Sequence, residues 1–510
     1  MCNSPHARPS SLRTLTLSLA FAGLAGLTGC ASFTGTTQPT ATAIDATKLG
    51  LIGPADAPQS SQSSADASDV IVPDWWLAFG DAQLNTLVAQ ALDSHPSLRV
   101  AQARLARTLA ASDVAAAAGQ PQLGAGLDLT HQRFTAKGLY PAPIAGAVMD
   151  TGTLQLAGSW ELDFFGKDRA ALDAAVGQAR AAQADTYAAR MLLASNVVRS
   201  YFALARINAQ IAVAQRTLAQ RQQALQLVKD RVEAGLDTQL EQQQSESALP
   251  DARLALEALA EQKTLALHAL AALTSQPNVL LATDQPAQAA IKNIAIRQAM
   301  PMDLLGRRAD IAAAKWRVEA ATQDRNSAKA QFYPNINLTA FAGLSSIGFD
   351  RLLQSGSEQW GVGPAIRLPL FDGGRLRAQL QGKTAELDAA VENYNALVLD
   401  AVRDVADQLT SAQSIARQQT EQAAAQASAE SAYSIALQRY KAGIGNYLQV
   451  LSAETAVLNQ RRQAVDLTAR ALDTQVQLIR ALGGGYADTA TASPTPLSSQ
   501  VTATAKAATP

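Results

Sequence analysis

Arg439-Tyr-Lys-Ala-Gly-Ile-Gly-Asn-Tyr-Leu448 has a counterpart upstream, Arg231-Val-Glu-Ala-Gly-Leu-Asp-Thr-Gln-Leu240. Arg, Ala-Gly, a branched aliphatic and Leu recur at the same places, all offset by 208 positions. Each copy closes one long helical pattern and opens another within three residues. Gly235 and Gly443 are therefore expected just past a helix C-terminus, where a positive φ costs glycine nothing. Asp237 and Gly445 complete the two turns. Two antiparallel helical hairpins with tight tips follow.

Working outward, the correspondence continues. His95-Pro-Ser-Leu98 and Arg308-Ala-Asp-Ile311 each open a helical run, and the runs stop at Pro121 and Pro334. The offset from Pro96 to Ala309 is 213, and it is again 213 from Pro121 to Pro334. Trp160-Glu-Leu-Asp-Phe-Phe-Gly166 is mirrored by Ile366-Arg-Leu-Pro-Leu-Phe-Asp372, each followed by a basic helix start. The order helix, strand pair, long helix, tip, helix thus occurs twice, which makes this one unit repeated. The boundaries expected are 71–276 for the first repeat, 277–306 for a linker and 307–484 for the second.

Composition narrows the function classes. Lys and Arg total 42 against 43 Asp and Glu, with no basic stripe, so nucleic acid is not an expected partner. Four dispersed histidines and two cysteines, Cys2 and Cys30, supply neither a metal-ligand cluster nor a disulfide framework, and no cofactor is expected. No nucleophile-base pair stands out, and Gly483-Gly-Gly485 lacks the Lys-Ser/Thr of a phosphate loop, so an enzyme is not expected.

Residues 1–29 read as an export signal: Arg8 and Arg13, then an apolar run from Leu15 to Leu27 too short for a stable membrane anchor. It ends in Leu27-Thr-Gly-Cys30, which resembles the lipobox of bacterial lipoproteins, so Cys30 is the expected lipid attachment site. Several acyl chains on one residue give stable attachment to outer-membrane lipid. Ala31, not Asp, follows the cysteine, which by the sorting rule of Gram-negative lipoproteins implies the outer membrane. Cleavage there leaves 40 basic against 43 acidic residues. Residues 30–70 are rich in Ser, Thr, Ala, Pro and Gln and read as a flexible tether; 485–510 read as a disordered tail.

Order is expected from Asp74-Trp-Trp-Leu-Ala-Phe79, with helical periodicity from Ala82 to Ala118. At Pro121 the period changes from 3.6 to 2. Leu123, Ala125, Leu127 and Leu129 alternate with polar or small residues; Leu154, Leu156, Trp160, Leu162 and Phe164 do the same. The second repeat offers Ile336, Leu338, Ala340 and Leu344, then Trp360, Val362, Ile366 and Leu368. Pro364 sits awkwardly in the last of these. A half-buried soluble sheet shows the same alternation. The outer-membrane address, and the lack of any other spanning element, favour four membrane strands instead. Four strands cannot close a barrel, and open edges are forbidden in lipid, so the chain is expected to oligomerise.

The helices beyond the strands are long. Asp168–Glu233 carries Ile211, Leu218, Leu225 and Val232 every seven residues, and Leu376–Ala442 carries Val391, Tyr394, Val398, Val402, Val405 and Leu409. This is coiled-coil spacing, over a helix of roughly 100 Å.

Taken together, Trp75-Trp76, Leu304-Leu-Gly-Arg-Arg-Ala-Asp-Ile311, Trp160-Glu-Leu-Asp-x-Phe-Gly166, Leu368-Pro-Leu-Phe-Asp-Gly-Gly-Arg375 and the two tips resemble the TolC-like outer-membrane efflux family, in its NodT-type lipoprotein branch. The match runs from Trp75 to about Leu482. The resemblance implies a mainly α chain with membrane β-structure that forms a homotrimer: a twelve-stranded barrel on a periplasmic helical tunnel. Its tip docks a periplasmic adaptor (membrane fusion protein) of an inner-membrane RND-type pump, and the assembly expels small molecules. The same fold also serves as exit duct in type I protein secretion; the lipid anchor favours efflux. A periplasmic adaptor itself would carry one hairpin, not two. Family members usually have Pro where this chain has Ala309, a departure expected to loosen that helix start.

At the tip the chain leaves the family pattern. Relatives present aspartates as rings at the periplasmic mouth, linked in part to arginine. Aligned on Gly443, those positions hold Gln449 and Ser452, and one that is Arg in some relatives is Thr455. Leu448 is a candidate apolar constriction and Tyr440 retains an aromatic. Either closure rests on helix packing around Leu448, or Asp237 and Glu454 restore the charge from another turn.

Overall fold

The structure, a computed structural model, describes residues 38–44, 72–276, 288, 291–292 and 308–486. Cys30, the expected leader, most of the expected linker and the tail after Tyr486 lie outside the described residues. In chain order the elements are α1 (Ala82–Ser94), α2 (Pro96–Ala118), β1 (Gln122–Arg133), β2 (Val148–Leu162), α3 (Lys167–Glu233), α4 (Gln239–Thr274), α5 (Ala309–Ala330), β3 (Asn335–Ile347), β4 (Glu358–Arg367), α6 (Arg375–Lys441) and α7 (Tyr447–Ala481). The sequence helix, two strands, helix, helix therefore occurs twice, and α3 and α6 have the same length, 67 residues. The periodicity read as one run from Ala82 is split at His95, which precedes Pro96 and takes the extended conformation that a following proline favours.

The chain forms two compact units. One is built from Ala106–Ala181 and Lys315–Asn393 and holds the sheet. Its four strands are antiparallel in the order β1-β2-β3-β4. The register decides what each face carries. Leu129↔Gly152↔Ser346, Leu127↔Leu154↔Leu344, Ala125↔Leu156↔Ala342 and Leu123↔Gly158↔Ala340 stand on one face with Trp160, Leu338, Trp360, Val362, Pro364 and Ile366. The other face carries Gln122, Asp128, Thr130, Thr153, Gln155, Ser159, Asn337, Thr339, Ser345 and Gln359 among glycines. Leu123, Trp360 and Ile366 are largely exposed, so the apolar face has no cover within the chain. Pro364 is accommodated because β4 is an edge strand here.

Phe164 and Leu368 were expected in strands and lie outside them. β2 ends at Leu162 because Asp163 turns away to receive the Lys167 and Arg169 amides, 2.7 and 2.8 Å, at the start of α3. Leu368 lies just beyond Arg367, ahead of Pro369. Asp372 plays the part of Asp163 at α6, receiving the amides of Gly374 and Leu376 at 3.0 and 2.8 Å. Below the sheet the helices meet through small residues: a Cβ on Gly177 would stand 3.0 Å from Ala320, and Arg180 lies over Trp316 at 4.5 Å.

The other unit holds, among the described residues, 44, 72–105, 182–276, 288, 291–292, 308–314 and 394–486. Its core sets Trp75, Trp76 and Phe79 with Leu84, Leu87 and Val88 of α1 against Val197, Val198, Tyr201 and Phe202 of α3, with Leu472, Val476 and Ile479 of α7 in the same cluster. Phe79 and Phe202 meet edge to face, centroids 4.9 Å apart. Burying such rings stabilises by about 2–3 kcal/mol each, which is why order resumes at the double tryptophan. Val398, Val405 and Ala401 of α6 pack with Ile311, Leu478 and Leu482, and Tyr394, Val402 and Leu409 lie against them.

Three expectations need correction. On α3, Ile211, Leu218, Leu225 and Val232 are only half-buried, whereas Ala214, Thr217 and Val228 are buried. A narrow heptad seam understates the contact when small residues let a helix be approached from two sides. Nor is the tether free throughout its described part: the Thr40 and Ala41 amides donate to Asp388 at 2.9 and 3.1 Å, and Ile44 donates to Asn395 at 2.8 Å. The start of α5 also shows no loosening. It begins at Ala309, with Asp310 holding Arg308 through two bonds of 3.1 and 2.8 Å. Among the described residues no helix is long and apolar enough to cross a membrane.

Candidate functional site

The two hairpin tips share one backbone. In the first, Leu236 N–H donates to Arg231 C=O at 2.8 Å and Gly235 N–H to Val232 at 3.0 Å; in the second, Ile444 donates to Arg439 and Gly443 to Tyr440, both at 3.0 Å. Gly235 and Gly443 take φ of 72° and 76°. The cap of the next helix stands in both cases three residues later, at Thr238 and at Asn446. Thr238 forms a reciprocal capping box with Glu241. Asn446 caps with a single bond, receiving the Gln449 amide at 3.0 Å. Gln449 stands at the place in α7 that Glu241 holds in α4.

The side chains differ sharply. Asp237 receives both Arg231 Nε at 2.8 Å and an Arg231 terminal nitrogen at 3.2 Å. The Tyr440 hydroxyl, from the other hairpin, donates to the same carboxylate. The Arg231 guanidinium also lies over the Tyr440 ring at 4.5 Å. One carboxylate, one cation and one phenol thus join the two tips. Asp237 is held below the ordinary carboxylate value, first by the hydrogen bond from Arg231. Burial, and then the bond to Asp237, push the Tyr440 phenol up, so it stays a donor. At the second tip Gly445 replaces Asp237, and a Cβ there would stand 3.2 Å from Arg439 Cβ.

Tyr440 is buried with Tyr447, Val228 and Val450, its ring centroid 5.7 Å from that of Tyr447. Leu448 is 61% exposed and lies outside this cluster. Packing at the tip within one chain therefore centres on the two tyrosines, not on Leu448. Gln449, Ser452 and Thr455 are exposed on the same face of α7 as Leu448; the Thr455 hydroxyl bonds back to the Leu451 carbonyl at 2.8 Å.

Glu454 is buried and faces inward. It pairs with Arg221 Nε at 3.3 Å, and Arg221 donates on to the Ala248 carbonyl at 2.8 Å, so three helices share one ion pair. Burial raises the Glu454 carboxyl above its ordinary value, against the pull of Arg221. Both acids weighed as substitutes for a carboxylate ring are thus committed to arginines inside the hairpins. The sequence reading missed Arg221 and Tyr447, and gave Arg231 no task beyond marking the repeat. Arg221 had no local signal, since its partners lie 27 and 233 positions away. Among the described residues no group of His, Cys, Asp or Glu is placed to hold a metal ion.

The family model for "Outer membrane efflux protein" matches residues 87–276 and 300–484. The fusaric acid resistance protein FusA of Burkholderia cepacia is 37% identical over 383 residues, 74% of this chain and 70% of that protein. The multidrug resistance outer membrane protein MdtQ of Escherichia coli O157:H7 is 32% identical over 432 residues, covering 81% and 88%. The outer membrane protein VceC of Vibrio cholerae superposes with a TM-score of 0.77 at 36% identity, covering 81% of this chain and 99% of VceC. Two copies of one helical hairpin, a strand pair with each, and a match across most of the chain agree: it belongs to the outer membrane efflux protein family, whose place is the Gram-negative outer membrane.

Proposed function

We propose that three copies of this chain close a twelve-stranded barrel on a periplasmic helical tunnel, and that the trimer is the exit duct of a tripartite efflux pump. The observation that carries this is the four-stranded sheet, whose apolar face is uncovered and whose edges, β1 and β4, are unpaired in one chain. In lipid each unpaired backbone group costs several kcal/mol. Pairing β4 of one copy with β1 of the next removes every edge at once. The hairpin tips then face the periplasm and meet an adaptor that links them to an inner-membrane RND-type pump. Small organic molecules are the cargo this reading favours, in keeping with relatives named for fusaric acid and multidrug resistance. Cys30 carries the lipid, and Cys30→Ala abolishes incorporation of labelled palmitate.

At the mouth, Leu448, Gln449, Ser452 and Thr455 line the aperture with neutral groups, and the Arg231–Asp237–Tyr440 link holds each pair of hairpins together behind it. Three like charges close together would attract cations and repel one another; Gln and Ser do neither. Native mass spectrometry of the detergent-extracted protein should give three chains, and planar bilayers should show weak cation preference with little block by trivalent cations. A folded single chain that conducts ions would overturn the trimer.

A further inference from the structure

The polar face of the sheet has one aromatic residue among the described strand positions. Phe341 of β3 pairs with Ala157 of β2 and Gly361 of β4, and Ala157 pairs with Gly124 of β1. Its row is therefore Gly, Ala, Phe, Gly, small everywhere except at the ring. The ring lies over Gly361: a Cβ built there would stand 2.7 Å from Phe341 Cε1. The residue is nevertheless 39% exposed. In the adjacent row, Gln155 and Gln359 reach across Gly343 and bond at 3.2 Å, with Gly126 completing the row. On the other side Thr339 bonds to the Gly363 carbonyl at 3.2 Å. The chain thus displays a flat apolar ledge beside a carboxamide pair, in a field cleared by glycines.

In a barrel the apolar face meets lipid, so this polar face lines the water-filled lumen. An aromatic face exposed to water and flanked by amides suits a planar aromatic solute that can also donate hydrogen bonds. We infer that Phe341, with Gln155 and Gln359, forms a transient stacking site for planar aromatic solutes inside the barrel, repeated in each copy. The inference rests on the exit-duct reading above. A purely structural task, shielding the Gly361 backbone, would make Phe341 matter for stability and leave solute residence untouched.

The test uses the reconstituted full-length protein in planar bilayers, with proflavine added on the barrel side and tetrapropylammonium as an aliphatic control. The expected result is brief blockades by proflavine that shorten roughly 3- to 10-fold in Phe341→Leu, which keeps the bulk and loses the π-face. Gln359→Ala should shorten them by a smaller factor, and tetrapropylammonium residence should be the same in all three proteins. Equal proflavine dwell times in wild type and Phe341→Leu would overturn the site while leaving the duct intact. So would equal shortening of both blockers, which signals pore geometry alone. Absence of any conductance from the wild-type trimer would instead refute the duct reading, and the lumenal site with it.

Discussion

The two hairpin tips have the same backbone and opposite chemistry. Both close with a six-residue hydrogen bond and a glycine at φ above 70°, yet only the first holds a charge cluster. Asp237 gathers Arg231 and Tyr440; its equivalent, Gly445, gathers nothing. A turn can therefore be inherited twice as geometry while its polar content is assigned once. The shared Ala-Gly step sets the reversal of direction, and the residue two positions on decides which tip links to the other.

If that division is right, Asp237→Ala should have the largest effect. It leaves a half-buried guanidinium and a buried phenol without their common acceptor, at a cost of about 1–3 kcal/mol. Hydrogen exchange should quicken at residues 232–236 and at 440–444 together, since the link joins both tips; a change confined to the first tip would break the comparison. Acid should mimic this variant. A carboxylate held below its ordinary value stabilises the fold above the unfolded-state pKa, and the contribution is lost as pH falls through the lower, folded value. The tips should thus stay linked at neutral pH and loosen only in acid below the usual Asp range.

Next come the glycines. Gly235→Ala and Gly443→Ala each force a residue with a Cβ into the left-handed region, costing about 1 kcal/mol. Because the two backbones match, the losses in thermal stability should be equal within error. A twofold difference would show that the tips are not equivalent as geometry.

The smallest effect is expected at Glu454. A carboxyl raised by burial has its folded-state contribution below the unfolded pKa and loses it as pH rises through the folded value, the reverse of Asp237. Burial costs the Glu454 carboxylate more than Arg221 returns to it, so Glu454→Gln, which leaves Arg221 an amide oxygen and the Ala248 carbonyl, should change stability by less than about 1 kcal/mol at neutral pH. Trivalent-cation block should not change, because the side chain points between helices. Strong block in the parent protein that this variant abolishes would place the acid in the pore.

Much of this could be read from the chain alone, and the reason is locality. Turns, caps and strand alternation depend on neighbours within a few residues. Gly235, Gly443 and the Ala-Gly steps announced both tips, and the period-2 runs found all four strands. Their ends were less legible: Phe164 continues the alternation of β2, yet Asp163 leaves the ladder to cap α3. The coiled-coil spacing on α3 likewise named Ile211 and Leu225, where Ala214 and Val228 are the buried positions. Burial depends on which helices lie alongside, and a helix bordered by small residues offers more than one seam.

What the tertiary structure alone decided is the use of charge. Asp237 and Tyr440 are 203 positions apart, and Arg221 and Glu454 are 233 apart. Nothing local distinguishes a carboxylate bound for an internal arginine from one left facing water. The free-energy difference between those fates comes from desolvation and from a partner's exact position, and both exist only once the hairpins lie side by side. The sequence by itself determined the duplicated hairpin, the strand pairs and the turns, because each is a local preference repeated. Packing decided which acids the tip conceals, and so left Leu448, Gln449, Ser452 and Thr455 as the face it presents.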